Sequence, residues 1–253
     1  MSDPNETARA AALSAVVTGV RFPFCVMNAA GSAATTDEVR ALRRSSTGAI
    51  VLKTVTVHPF VHPGFRALHN PGFDKLLPLV RDLVTADERP VVASIAGASV
   101  DEFGILATAF AEAGASVIEV NLADPWVEAM VGPFEDEAAL RTLATRVASA
   151  GCPCWVKIPE RVPVSYDALV TVLLDSGVRG VVAHHEFHGF EKLLLEAPAA
   201  IDVVVWGAIS TGYEVATILR KGAKAVQIDA ALRTEGPAVF ARLEREMRRL
   251  AVL

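Results

Sequence analysis

The sequence predicts a single (β/α)8 barrel, and three observations carry the prediction. Eight short, β-branched apolar runs recur along the 253 residues, at 24–28, 49–54, 91–95, 117–122, 154–158, 181–184, 203–206 and 225–228. Each is followed by an amphipathic stretch, at 36–44, 73–84, 100–113, 135–150, 166–176, 190–196, 212–221 and 236–250. No linker or composition break divides the chain, so 1–253 reads as one domain. Strands covered on both faces read as continuous apolar runs. Strand–helix alternation implies parallel crossovers, and eight such units is the number that closes a barrel. A doubly wound sheet rarely needs eight units this regular.

The elements can be justified in order. Residues 13–24 precede the first unit and turn at Thr18-Gly19, predicting a hairpin under the N-terminal face of the barrel. Thr36 stands before Asp37 and Glu38, and Ser99 before Asp101 and Glu102, so carboxylates sit in first turns where the helix dipole favours them. Gly151 and Gly177 follow the fourth and fifth helices as C′ residues. Arg245, Arg248 and Arg249 suit the negative pole of the last helix.

Composition excludes whole classes of function. Hydrophobic residues make up 52% and charged residues 21%, too apolar for a disordered chain. A net charge of −5 is not a nucleic-acid footprint. No apolar run approaches the ~18 residues of a membrane span, and residues 1–12 do not read as a secretory signal. The expectation is a cytoplasmic protein acting on a small molecule. Cys25, Cys152 and Cys154 are odd in number and lie in apolar runs, so they read as buried thiols, not as a disulfide framework or a zinc site.

In such a barrel the chemistry lies where strands end. Those positions carry Asn28, Lys53, Ser94, Glu119, Asn121, Asp124, Lys157, His184, His185, Gly207 and Asp229. Lys53 and Lys157 are the sharpest feature, because a lysine inside an apolar strand needs a partner. That partner is a carboxylate such as Glu119, or else an anionic ligand. His184 and His185 are adjacent, so at most one faces the lumen. No residue spacing suggests a metal site.

The segments 13–24 with Asn28-Ala29-Ala30-Gly31, 47–56, 90–97, Ile118-Glu-Val-Asn-Leu122, Val156-Lys157-Ile-Pro159, 222–228 and 235–240 resemble, in order, those of dihydroorotate dehydrogenases. The resemblance spans nearly the whole chain and is closest to the soluble class 1 branch. It implies a homodimeric FMN enzyme that removes a proton beside a carbonyl and passes hydride to flavin. By position, Ala30 and Gly31 would pass close to the flavin ring. Lys53 would contact flavin and substrate, Asn121 would hydrogen-bond either, and Lys157 would face the flavin N1/O2 edge. Gly207-Ala208 and Asp229-Ala230 would border the phosphate.

The departures are specific. Asp124 stands at the family's catalytic Cys or Ser position and would be the base. His69, Trp126 and His185 replace three asparagines that read orotate, so these residues would shape a site for another substrate. Asp229 puts a carboxylate, or a helix cap, at the phosphate end. A barrel without flavin that uses Lys53, Lys157 and Asp124 as a lyase or isomerase, or a non-catalytic family member, are the alternatives.

Overall fold

The structure, a computed structural model, describes residues 13–61, 69–86, 88–123, 136–159, 164–186, 190–196 and 199–250. The chain opens with an antiparallel hairpin, β1 (Ala15–Val17) and β2 (Val20–Phe22). Eight strands follow: β3 (Val26–Asn28), β4 (Ile50–Val51), β5 (Val91–Ile95), β6 (Val117–Asn121), β7 (Cys154–Lys157), β8 (Gly180–His184), β9 (Asp202–Gly207) and β10 (Ala225–Ile228). All their pairings are parallel, in the order β3-β10-β9-β8-β7-β6-β5-β4. The helices are α1 (Thr36–Arg43), α2 (Leu77–Ala86), α3 (Val100–Glu112), α4 (Glu137–Ala148), α5 (Tyr166–Asp175), α6 (Phe190–Glu196), α7 (Gly212–Arg220), α8 (Ala230–Glu235) and α9 (Ala238–Leu250). This is the (β/α)8 barrel with an N-terminal hairpin that the sequence predicts. Among the described residues, no helix is long and apolar enough to cross a membrane.

The boundaries differ from expectation where local chemistry intervenes. The stretch 73–84 splits into a 3-10 turn, Phe73–Lys75, and α2, with Pro78 in the first turn where its missing N–H is harmless. The last stretch forms α9, and before it lies an unpredicted short helix, α8, set apart by Gly236 (φ 69°) and Pro237. Thr35, not Thr36, caps α1, in a reciprocal pair with Glu38. Ser99 caps α3 as expected. Gly151 and Gly177 have φ of 74° and 86°, the left-handed C′ conformation.

The seam between β3 and β4 is closed by backbone and side chain together. The Gly48 N–H donates to the Val26 carbonyl at 2.8 Å. The Asn28 amide then replaces a strand rung. It accepts from the Val51 N–H at 2.9 Å and donates to the Val51 carbonyl at 2.7 Å. A Cβ at Gly48 would fall 1.7 Å from the Phe24 carbonyl oxygen. Gly48→Ala is therefore expected to force the seam apart and to destabilise the protein by at least about 1–3 kcal/mol. A denaturant midpoint equal to the parent's would refute this.

Two apolar layers flank the sheet. The outer one joins strands to helices. The inner one is made by inward-pointing Met27, Val51, Val92, Val117, Trp155, Val182, Val204 and Ala225. Val17 and Phe22 of the hairpin plug its lower end, both fully buried. The Thr18-Gly19 turn has φ of 49° and 83°, the sign a tight hairpin needs. Two bonds hold it in place. The Trp155 indole N–H donates to Thr18 Oγ1 at 2.9 Å, and Asp202 Oδ2 accepts from the Thr18 N–H at 2.6 Å.

Candidate active site at the mouth of the barrel

Side chains alternate along a strand, so the residue two places beyond each inner-layer residue also faces the lumen. From Val51, Val92, Val117, Trp155, Val182, Val204 and Ala225 this places Lys53, Ser94, Glu119, Lys157, His184, Trp206 and Gln227 in one upper layer, with Asn121 a further step up β6. Most are buried although polar. Lys53 is 8% exposed, Lys157 3%, Asn121 5%, and Glu119 and Gln227 0%. The sequence thus places both lysines and Asn121 in one site, and the structure brings them together.

A hydrogen-bond chain crosses this layer. Asn121 Nδ2 donates to Thr54 Oγ1 at 2.9 Å, and the Thr54 and Ser94 hydroxyls lie 2.9 Å apart. Ser94 Oγ donates to Glu119 Oε1 at 3.2 Å. Because Ser94 has one proton and gives it to Glu119, Thr54 is the donor to Ser94. Every proton in the chain therefore points from Asn121 toward the carboxylate. Gln227 Nε2 donates to Glu119 Oε2 at 2.6 Å, and β10 lies diametrically opposite β6 in the sheet order. The bridge spans the lumen and floors the site. Asn121 Oδ1 accepts from the Ala123 N–H at 3.1 Å, which fixes the amide's orientation.

Lys157 Nζ lies 3.9 Å from the centroid of the Trp206 ring, a cation–π contact. The His184 ring meets the same indole edge-on, centroids 4.5 Å apart. Thus His184 is the lumen-facing member of the histidine pair. The His185 ring packs on Gly207, where a Cβ would fall 2.0 Å from its Nδ1. Among the described residues, His185 Nδ1, Trp206 Nε1, Gln227 Oε1 and Asp229 Oδ1 are buried with no hydrogen-bond partner. An unmet buried polar group costs about 1–3 kcal/mol. Their concentration at the ends of β8, β9 and β10 marks a surface that expects a polar ligand.

The remaining predicted residues fall as follows. Ala30 packs on the inner layer, and Gly31 (φ 87°) is exposed with open space beside it. His69 is half-buried beside Asn70, whose Oδ1 accepts from the N–H groups of Thr56 and Gly72 and so clamps that loop. Ala208 and Ala230 are exposed at the ends of β9 and β10. Asp229 precedes α8 without capping it, its Oδ2 paired instead with the Arg233 guanidinium. Asp124 and Trp126 lie outside the described residues. Trp206 is the site residue that sequence reasoning undervalued. Its parity with inward-facing Val204 is the signal that finds it.

Electrostatics separate this site from the thiols. Burial pushes Cys25 and Cys154 up to about 12 and Cys152 up to about 11, so all three are protonated and unreactive near neutrality. Burial raises the Glu38 carboxyl, but N–H donors from Ala34 and Thr35 and the charge of Lys53 outweigh it and hold it below its ordinary value.

No protein-family model matches the chain. It is 30% identical to the dihydroorotate dehydrogenase (fumarate) of Trypanosoma cruzi, with 89% of this chain and 88% of that protein covered. It is 26% identical to the putative dihydroorotate dehydrogenase A (fumarate) of Aeropyrum pernix, covering 94% and 92%. A Streptococcus pyogenes protein of the same description is 26% identical over 91% and 90%. Full-length similarity at this level, on an eight-stranded barrel with Lys53, Asn121 and Lys157 gathered at its mouth, means that the chain belongs to the dihydroorotate dehydrogenase family.

Proposed function

We propose that this protein is a flavin-dependent oxidoreductase of the dihydroorotate dehydrogenase type that acts on a substrate other than dihydroorotate. The observation that carries the reading is the pair of buried ammonium groups, Lys53 and Lys157, set beside an oriented Asn121 in the upper lumen layer. Two cations held in a low-dielectric mouth stabilise negative charge that develops next to them.

The residues present fit the ring of FMN. Lys53, Asn121 and Lys157 would hold it, and Gly31 offers bare backbone beside it. When bound, the flavin supplies the hydride acceptor. The chain's own groups do the rest. Lys157 sets its ammonium against the face of Trp206 and would offer it to an electron-rich edge. The directed chain from Asn121 to Glu119 holds the asparagine amide in one orientation. Asp124, three residues past Asn121, is the proposed proton acceptor, and the outward-facing His185 is not retained as an alternative. A carboxylate's ordinary pKa is near 3.9, so this role requires a dry setting around it.

The substrate reading rests on His69, Trp126 and His185. A site built to hydrogen-bond an amide edge loses orders of magnitude when those partners go. Protein that takes up free riboflavin or FMN, and turns over dihydroorotate with kcat/KM well below ~10⁴ M⁻¹s⁻¹, is the expected result. Uptake of neither flavin would overturn the reading in favour of a flavin-free lyase or isomerase using Lys53, Lys157 and Asp124. Dihydroorotate turnover at or above that value would overturn the substrate assignment.

A further inference from the structure

The flavin reading leaves the other end of the cofactor to be placed. In (β/α)8 barrels a phosphate commonly lies between the loops after the seventh and eighth strands and the N-terminus of a short extra helix. Backbone N–H groups and the helix dipole hold the anion there. Here those parts are the loop Gly207–Ser210 after β9 and the helix α8 after β10. A carboxylate stands close to each part, Glu214 on the Ser210 N–H and Asp229 at the head of α8.

Glu214 Oε2 accepts from the Ser210 N–H at 2.9 Å, the Thr211 N–H at 2.8 Å and the Thr211 hydroxyl at 2.9 Å. Glu246 Oε2 accepts from the Gly212 N–H at 2.7 Å. The Ser210 N–H bond is the largest reason that Glu214 is held below its ordinary value, so it is ionised at neutral pH. Arg242 is engaged by Glu235, Glu246 and the Ser210 carbonyl. At the head of α8 stands Asp229. Arg233 matches its Oδ2, and its Oδ1 is buried with no partner among the described residues. The ion pair brings no net positive charge to the place where a dianion would sit. Its open oxygen is an acceptor awaiting a donor.

We infer that this site takes a flavin whose side chain ends in an uncharged hydroxyl, as riboflavin does, and not in a phosphate. The inference rests on the flavin reading above. A terminal hydroxyl donates to Asp229 Oδ1, whereas a phosphate meets that carboxylate and a Ser210 N–H already bonded to Glu214. A hydrogen bond to a charged group corresponds to roughly 10–100-fold in affinity.

The test is a titration of the flavin-free protein with riboflavin and with FMN, followed by flavin fluorescence. Riboflavin is expected to bind roughly 10–100-fold more tightly. Asp229→Asn should raise FMN affinity and shrink the ratio to within about threefold, a neutral amide no longer repelling the phosphate. FMN binding as tightly as riboflavin to the parent protein overturns the inference. So does a ratio that Asp229→Asn leaves unchanged. If FMN wins and Arg233→Gln abolishes its advantage, Arg233 is a phosphate clamp and the inference is wrong. Binding of neither flavin removes the reading on which it rests. Should Asp229→Asn not fold, mass spectrometry of flavin released by heat from protein loaded with an equimolar mixture decides the matter: riboflavin supports the inference and FMN refutes it.

Discussion

On the proposed function, replacing Lys157 by methionine is expected to make the reduction potential of a bound flavin about 60–90 mV more negative, a loss of roughly 10²–10³-fold in stabilisation of the reduced form. Methionine keeps the length and apolar stem of the side chain, so the change removes charge more than volume. Lys157 is 3% exposed at the end of β7, with the Trp206 indole against its ammonium. In such a dry setting a single cation acts on a neighbouring anion with little screening. Folding should be nearly unaffected, because an apolar group of similar size is well tolerated where a charge was buried. Equilibration with redox dyes of known potential checks the first expectation and a thermal melt the second. A shift smaller than 15 mV, about a threefold effect, would mean that Lys157 does not serve the flavin.

Trp155→Ala should lower stability by about 3–5 kcal/mol, which in a chain of this size corresponds to a fall of roughly 6–20 °C in melting temperature. Among the described residues Trp155 is the largest fully buried side chain; it fills the lower lumen and lies 5.7 Å from the ring of Phe22. Its indole also holds the hairpin through Thr18 Oγ1. Room for the ring depends on Gly180, where a Cβ would fall 2.1 Å from Trp155 Cδ1. Trp155→Phe keeps most of the volume and loses the hydrogen bond, so about 1–2 kcal/mol is expected from it. Melts of the two variants separate packing from bonding. Equal losses would show that the cavity is not what matters.

The barrel was legible because its strands are covered on both faces, which leaves continuous apolar runs that local reading detects. Lys53, Lys157 and Asn121 were legible for the same reason, as polar residues inside such runs. The short helix α8 was not, because six residues are too few to show a period. Nor was the role of Asn28, whose partner Val51 is 23 positions away and becomes its neighbour only when the sheet closes. The Trp206 contact with Lys157 joins β9 to β7 across an intervening strand, and the Glu119–Gln227 bond joins opposite walls. Parity along a strand can say that these side chains face inward. Which of them meet is set by the barrel's curvature, which no local pattern encodes.

The plug at the bottom of the barrel imposes an order of events during synthesis. The hairpin leaves the ribosome before the barrel strands, but the groups that receive Thr18 lie 137 and 184 residues downstream, at Trp155 and Asp202. At about 5–20 residues per second, the second of these arrives roughly ten to forty seconds later. Through that interval Val17 and Phe22, fully buried in the finished protein, have no lumen to enter. A segment made before the barrel is therefore among the last to dock. A nascent chain halted before Asp202 would display an apolar hairpin to whatever chaperone waits at the tunnel exit.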